Sequence, residues 1–193
     1  AAMIASGQAD VLVAGGVESD SRLCYVMEKP TQAYQNQPPQ WAEIRNAPKP
    51  EDAISMVMTA ENLAEKYGIS RQECDAFALS SHQKAATAWE AGRFDDQVIP
   101  LEVPLGKGKT ASFERDEALR PDSNMDSLSK LRPVLKEGGV VTAGNSSPMS
   151  DGAGAVVVMA REKAEALVLP ILAKFVASAA AGLDPKIMGY GPV

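Results

Sequence analysis

The chain has 193 residues, a formal net charge of −6, 45% hydrophobic residues and only 5% aromatics, enough for one domain or two small ones with a core of Ala, Val, Leu and Met. The negative charge argues against nucleic acid, whose phosphates attract clustered Lys and Arg. No apolar run approaches the roughly 20 residues that span a bilayer, and no charged segment followed by an apolar one opens the chain as a signal peptide would.

Residues 1–6 read as the end of a helix stopped by Gly7. Asp10, Val11, Leu12, Val13 and Ala14 form a short strand entering a turn at Gly15-Gly16, and Glu18, Ser19, Asp20 and Ser21 continue as a polar loop. Residues 29–50 accumulate Pro30, Pro38, Pro39, Pro48 and Pro50 with several glutamines and no glycine, which disfavours a long helix. This stretch is either a linker or a lid over a ligand; a lid would have Tyr34, Trp41 and Ile44 to bury. Thr59 is the expected cap of a helix running through Leu63, Ala64 and Tyr67 to Gly68. Ser70 and Glu73 make a capping box for a longer helix, with an apolar stripe of Phe77, Ala78, Ala85, Ala88 and Trp89 and a stop at Gly92.

Residues 98–103, broken by Pro100, read as an edge strand, and residues 107–123 are charged and polar without a clear period. The segment T-A-G-N-S-S-P-M-S-D-G-A at residues 142–153 then leads into an apolar strand at 154–160, a helix at 161–167 and a further strand at 171–177. Gly144 and Gly152 suit backbone approaches that a Cβ would block, and Asn145, Ser146, Ser147, Ser150 and Asp151 are turn formers. A tight turn before a core strand explains part of this; a polar surface site mounted on a buried strand explains the crowding of polar side chains. Strand, helical excursion and strand again give an α/β core interrupted from about residue 21 to residue 145.

His82 lies among polar neighbours on the long helix and reads as a solvated position, not a catalytic base. Cys24 and Cys74 have neither a C-x-x-C partner nor a ligand-spaced histidine, so no zinc site is expected. The helix start beside Cys74 is a setting that lowers a thiol pKa, its one claim to reactivity. Two isolated cysteines suit a reducing compartment, the cytoplasm or an organelle matrix.

The 142–153 segment resembles the T-A-G-N-x-S-x-x-x-D-G-A stretch of the thiolases, coenzyme-A-dependent acyl transferases that make or cleave 3-oxoacyl-CoA. Four further stretches resemble the same family in order: A-D-V-L-V-A-G-G-V-E-S at 9–19, T-A-E-N-L-A-E-K-Y-G-I-S-R at 59–71, D-S-L-S-K-L-R-P at 126–133 and G-L-D-P-K-I-M-G-Y-G-P at 182–192. The resemblance implies a partial αβαβα core interrupted by a mainly helical loop domain that holds coenzyme A. On it, residues 1–20 end the first core half, 21–145 form the loop domain, 146–168 return to the first half and 169–193 begin the second. The two core strands, parts of a parallel sheet, are expected to lack neighbours here.

The resemblance also implies that no catalytic residue lies in this chain: the acyl-carrying cysteine falls upstream of Ala1, and the G-H-P histidine and C-G-G cysteine fall beyond Val193. What remains is a coenzyme A cradle. Arg120 and Ser127 match positions at the adenine and ribose end of the molecule, where a guanidinium stacks on a base or forks to a phosphate. Ala143 and Ser147 match positions along the pantetheine arm, and Met56 and Met188 match apolar residues lining that tunnel, where thioethers adapt to a flexible arm. Ser55 stands where acetoacetyl-CoA-forming members carry a histidine, which favours a degradative, longer-chain enzyme; Pro148 stands where glycine is common.

The resulting expectation is the central part of a thiolase acting on acyl-CoA or acetyl-CoA, without a metal, in a homodimer or homotetramer. The alternative is a non-catalytic, thiolase-derived module that binds acyl-CoA or serves a structural role.

Overall fold

The computed structural model describes residues 1–29, 40–42 and 47–193. They belong to two compact units, Ala1–Ile44 with Met149–Gly182 and Arg45–Pro148 with Leu183–Val193. The expected linker or lid at 29–50 falls largely outside the described residues, as do Tyr34 and Ile44. Trp41 is described: it stacks at a tilt on Tyr25, with ring centroids 5.4 Å apart, and its backbone bridges to Met27.

In the first unit a short helix, α1 (Ala2–Ala5), precedes strand β1 (Val11–Glu18). The expected turn at Gly15-Gly16 does not form; the strand continues through both glycines and pairs antiparallel with strand β4 (Gly152–Met159), Val11 opposite Met159 and Glu18 opposite Gly152. A Cβ on Gly15 would lie 2.8 Å from the Gly154 carbonyl oxygen, so glycine here serves close strand approach. The expectation of two unpaired strands in a parallel sheet is thus corrected to an antiparallel ribbon.

The ribbon is not buried. Val13 and Val17 are 74% and 79% exposed, and Val156 and Val157 are 60% and 62% exposed. The buried apolar residues among those described are only Ala47, Ala64, Leu128 and Ala164, so the expected Val- and Met-rich core is not seen. Residues 171–177 form no strand, because no neighbouring strand among the described residues completes a ladder with them. Helix α5 (Arg161–Ala166) lies close to its expected place.

One polar clasp closes the open end of the ribbon. Asp151 accepts from the Ser21 N–H at 2.9 Å, the Ser21 hydroxyl at 2.6 Å and the Ser19 hydroxyl at 3.2 Å. These bonds, led by the Ser21 hydroxyl, hold the Asp151 carboxyl below its ordinary pKa.

The second unit begins with α2 (Met56–Tyr67). Its cap is Ser55, whose hydroxyl accepts from the Met58 N–H at 3.2 Å. Thr59, the expected cap, is inside the helix, buried, and donates to the Met56 carbonyl at 2.7 Å. Gly68 ends α2 in the left-handed region, with φ of 67°. Helix α3 (Arg71–Glu90) opens on the anticipated Ser70/Glu73 capping box, whose Ser70 N–H holds the Glu73 carboxyl below its usual pKa. Phe77 leaves the expected apolar stripe and is 79% exposed.

The segment read as lacking a period contains half of a hairpin, β2 (Leu101–Gly106) paired with β3 (Lys109–Phe113). Lys107 and Gly108, both with positive φ, make the two-residue connection that suits strand twist. The strand begins after Pro100, not before it. Helix α4 (Met125–Ser129) follows, then the 140–146 loop and a 3-10 helix, Pro185–Tyr190, that packs on α2.

Because the Asp151 carboxyl titrates lower in the folded chain, its stabilisation is complete above its ordinary pKa of 3.8 and is lost as pH falls through the lowered value. Thermal melts of wild type and Asp151→Asn between pH 6 and pH 2.5 are expected to differ at the upper end, wild type being more stable, and to converge at the lower. A gap that widens with acid would contradict the clasp.

Candidate functional site

The second unit is organised around two carboxylates that sequence reasoning passed over. Glu61 on α2 is 2% exposed and accepts from the Val140 N–H at 3.1 Å and the Val141 N–H at 2.9 Å. Asp75 on α3 is 1% exposed and accepts from Arg71 Nε at 2.7 Å and Asn145 Nδ2 at 2.9 Å. Asn145 then closes the loop on itself: its amide donates to the Val140 carbonyl, and its Oδ1 accepts from the Thr142 N–H at 2.7 Å. The Thr142 hydroxyl accepts from the Gly144 N–H, and Ser146 donates to the Thr142 carbonyl at 2.7 Å. Much of the polar crowding in this loop is therefore directed inward, at its own backbone.

Arg71 joins α4 to the same network, donating through Nη2 to the carbonyls of Leu128 at 2.6 Å and Leu131 at 3.1 Å. Gly144 completes the joint. A Cβ there would meet Leu131 Cδ1 at 2.5 Å and Leu128 Cδ2 at 2.6 Å. Close packing is thus the reason for Gly144; Gly152 has open space around it.

All the residues the sequence put forward as coenzyme A contacts fall within this second unit. Ser55 caps α2 and Met56 is its first residue, 55% exposed. Met188, 39% exposed, is on the 3-10 helix that packs on α2 through the Asn62 amide on the Lys186 carbonyl (2.9 Å), the Lys186–Asp52 ion pair (2.9 Å) and the Tyr67–Tyr190 stack. Arg120 opens a turn before α4, its Nη1 donating to the Glu117 and Leu119 carbonyls at 2.7 and 3.3 Å. Ser127 completes the α4 capping box with Asn124; its hydroxyl proton is committed to the Asn124 carbonyl at 2.8 Å. Ala143 and Ser147 are exposed on the 142–148 segment. The Arg71–Asp75–Asn145 chain links the Ser127 element to the Ala143 loop.

Two expectations about reactive groups change. Burial pushes the Cys74 thiol pKa up, and the Asp75, Glu73 and Glu61 carboxylates add to the rise, so the capped helix start does not activate it. His82 is half-buried, and its Nδ1 accepts the Arg120 N–H at 3.3 Å; it is not a purely solvated position. Among the described residues no group of His, Cys, Asp and Glu could hold a metal ion, and no helix is long and apolar enough to cross a membrane.

A signal for Glu61 and Asp75 was present. Glu61 sits three residues before Ala64 and Asp75 three residues before the stripe residue Ala78, so each shares a helix face with an alanine.

Comparison with known proteins gives this arrangement its family. Residues 1–162 match the family described as "Thiolase, N-terminal domain". The chain is 45% identical over 193 residues to an acetyl-CoA acetyltransferase of Pseudomonas aeruginosa, covering 98% of this chain and 49% of that one. It is 44% identical over 196 residues to a 3-ketoacyl-CoA thiolase of Bacillus subtilis, covering 97% of this chain and 48% of the relative. The crystal structure of human mitochondrial 3-ketoacyl-CoA thiolase superposes with a TM-score of 0.84 at 37% identity, over 100% of this chain and 49% of that one. Its complex with CoA superposes at 0.80 and 36% identity, over 97% of this chain and 47% of that one. The chain belongs to the thiolase family and has the fold of a partial α/β thiolase domain. It spans about half the length of the relatives it matches.

Replacing Asp75 with Ala leaves the Arg71 and Asn145 donors without their acceptor and is expected to destabilise the chain by about 2–3 kcal/mol. Urea unfolding measures the loss, and faster hydrogen exchange at the Thr142 amide locates it; unchanged protection there would refute the link from Asp75 to the loop. For the thiols, mass spectrometry after brief iodoacetamide treatment at pH 8 is expected to find exposed Cys24 alkylated well before Cys74. Equal rates would show an activated Cys74.

Proposed function

We propose that these residues are the coenzyme-A-binding central part of an acyltransferase that forms or cleaves 3-oxoacyl-CoA through an acyl-cysteine intermediate. The cysteine that carries the acyl group, and the histidine and second cysteine that serve it, lie outside residues 1–193 on this reading. The observation that supports it most is the joint at Asp75, where the loop bearing Ala143 and Ser147 and the helix bearing Ser127 share one buried anchor. A relative of the same fold was crystallised in complex with CoA.

The residues divide the ligand by chemistry. Arg120 has Nε and Nη2 left for a phosphate or the face of a base, since its Nη1 is engaged by the loop. Ser127, with its proton committed to the cap, meets the adenine or ribose as an acceptor. Ala143 and Ser147 line the pantetheine arm, with Met56 and Met188 as its apolar neighbours. Ser55 in place of a histidine favours the degradative, longer-chain type; its hydroxyl caps α2 instead.

On the same reading residues 21–145 form the coenzyme A loop domain, flanked by core segments at 1–20 and 146–168, with a second core half beginning at 169. The whole protein works as a homodimer or homotetramer in the cytoplasm or an organelle matrix. The exposed valines of the ribbon and the free Cys24 and Cys74 support these two readings.

In the full-length enzyme, Arg120→Ala is expected to raise KM for coenzyme A roughly tenfold, about 1–2 kcal/mol, with little change in kcat. The adenine end is far from the reacting thioester, so its contacts are alike in ground and transition states. Ser147→Ala is expected to change kcat as well. Repeating both with a short pantetheine thioester separates the two ends: equal damage by Arg120→Ala to short and full substrates would refute its placement at the adenine. Coenzyme A binding without thiolysis by the full-length protein would favour a non-catalytic module.

A further inference from the structure

We propose that His82 is a positioning residue for Arg120, and that its protonation weakens coenzyme A binding; this rests on the reading of Arg120 given above. His82, the chain's only histidine, is on α3, and its Nδ1 accepts the backbone N–H of Arg120, 38 residues further on, at 3.3 Å. Arg120 is the first residue of a turn whose second residue is Pro121: its carbonyl accepts from the Ser123 N–H at 3.2 Å. Pro121 restricts its own φ and biases Arg120 to extended backbone. The turn is therefore stiff, and the Arg120 N–H is the point at which it is tied to α3.

The other tie is Arg71, which holds the Leu128 and Leu131 carbonyls at the far side of α4. His82 is 82 − 71 = 11 residues along α3 from Arg71, roughly 16 Å at the helical rise. Residues 120–131 are thus strapped to one helix at two separated points. Arg71 fixes α4 and His82 fixes the turn that aims Arg120. With Nη1 engaged by the Glu117 and Leu119 carbonyls, the guanidinium is oriented by its own loop, so the backbone pin sets the direction of its Nε and Nη2 edge.

The tie depends on the charge state of the ring. An imidazole accepts at Nδ1 only in the neutral form with the proton on Nε2; the imidazolium carries N–H groups at both nitrogens and has no acceptor. Imidazoles change charge between pH 5 and 8. The charged groups on the meeting segment are Glu114, Arg115, Asp116, Glu117, Arg120 and Asp122, with Asp126 on α4 and Lys84 on α3 itself. Once charged, the ring also places a cation beside the Arg120 backbone in place of a hydrogen-bond acceptor.

The test measures the Kd of coenzyme A by calorimetry on the full-length enzyme at pH 7.5 and pH 5.5, for wild type, His82→Gln, His82→Leu and Arg120→Ala. Gln offers an amide oxygen that accepts and does not titrate. It is expected to keep wild-type affinity at pH 7.5 and to lose roughly fivefold less than wild type on acidification. His82→Leu is expected to bind weakly at both values. Titration of the coenzyme A phosphate is common to every variant and cancels in the comparison. A wild-type pH step retained by His82→Gln, or wild-type affinity in His82→Leu at pH 7.5, would overturn the inference while leaving the site reading intact, provided Arg120→Ala binds weakly. Unchanged affinity in Arg120→Ala would overturn both.

Discussion

Removing a carboxylate from water costs several kcal/mol unless its oxygens find donors, and the second unit turns on two such groups, Glu61 and Asp75. Each has at least two partners, and no buried side-chain nitrogen or oxygen among the described residues is left without one. The need runs in both directions. Val140, Val141 and Thr142 offer three consecutive backbone N–H groups, which take Glu61 Oε2, Glu61 Oε1 and Asn145 Oδ1 as acceptors. A loop packed inward cannot leave its backbone donors unpaired. Glu61 of α2, and the loop's own Asn145 held by Asp75 of α3, thus supply by side chain what a neighbouring strand would supply by ladder.

That constraint explains why small residues occur where they do. Gly144 brings the loop against Leu128 and Leu131, and Gly139 lies where a Cβ would come within 2.6 Å of Glu61 Oε1. The same economy appears at the 3-10 helix, where a Cβ on Gly189 would approach Leu63 Cδ1 to 2.8 Å. Residues proposed to touch coenzyme A are carried on these joints and are not the joints themselves. Ser127 is fixed by a cap, Ala143 by its neighbours Thr142 and Gly144, and Met188 by Lys186 and Tyr190. A ligand surface can be open to water when the residues beside it are fully bonded.

The first unit is built differently. Its two strands satisfy each other's backbone along one edge and leave valines exposed, and among its described residues the side-chain hydrogen bonds between distant positions are those of Asp151 with Ser19 and Ser21. Polar bonding in the second unit substitutes for apolar burial; in the first unit neither is abundant.

Local signals survived intact from sequence to structure. The Ser70/Glu73 capping box, the Gly68 stop and the helix from Arg161 each depend on neighbours within a few residues, so composition and spacing by themselves determined them. The ordered thiolase-like stretches carried family and fold in the same way. Tertiary structure decided what depends on distant partners. Whether Gly15-Gly16 turned or ran straight depended on β4, whose Ala155, the register partner of Gly15, lies 140 residues further along the chain (155 − 15). Whether Ser55 or Thr59 capped α2 depended on which hydroxyl was free of the helix interior. Whether residues 171–177 became a strand depended on a ladder partner. Glu61 and Asp75 were legible as acids sharing a helix face with an alanine, but their roles required the 140–146 loop to arrive from some 70 or more positions away. Short-range geometry is written in adjacent residues, whereas the pairing of a buried charge is defined only when the chain folds back to meet it.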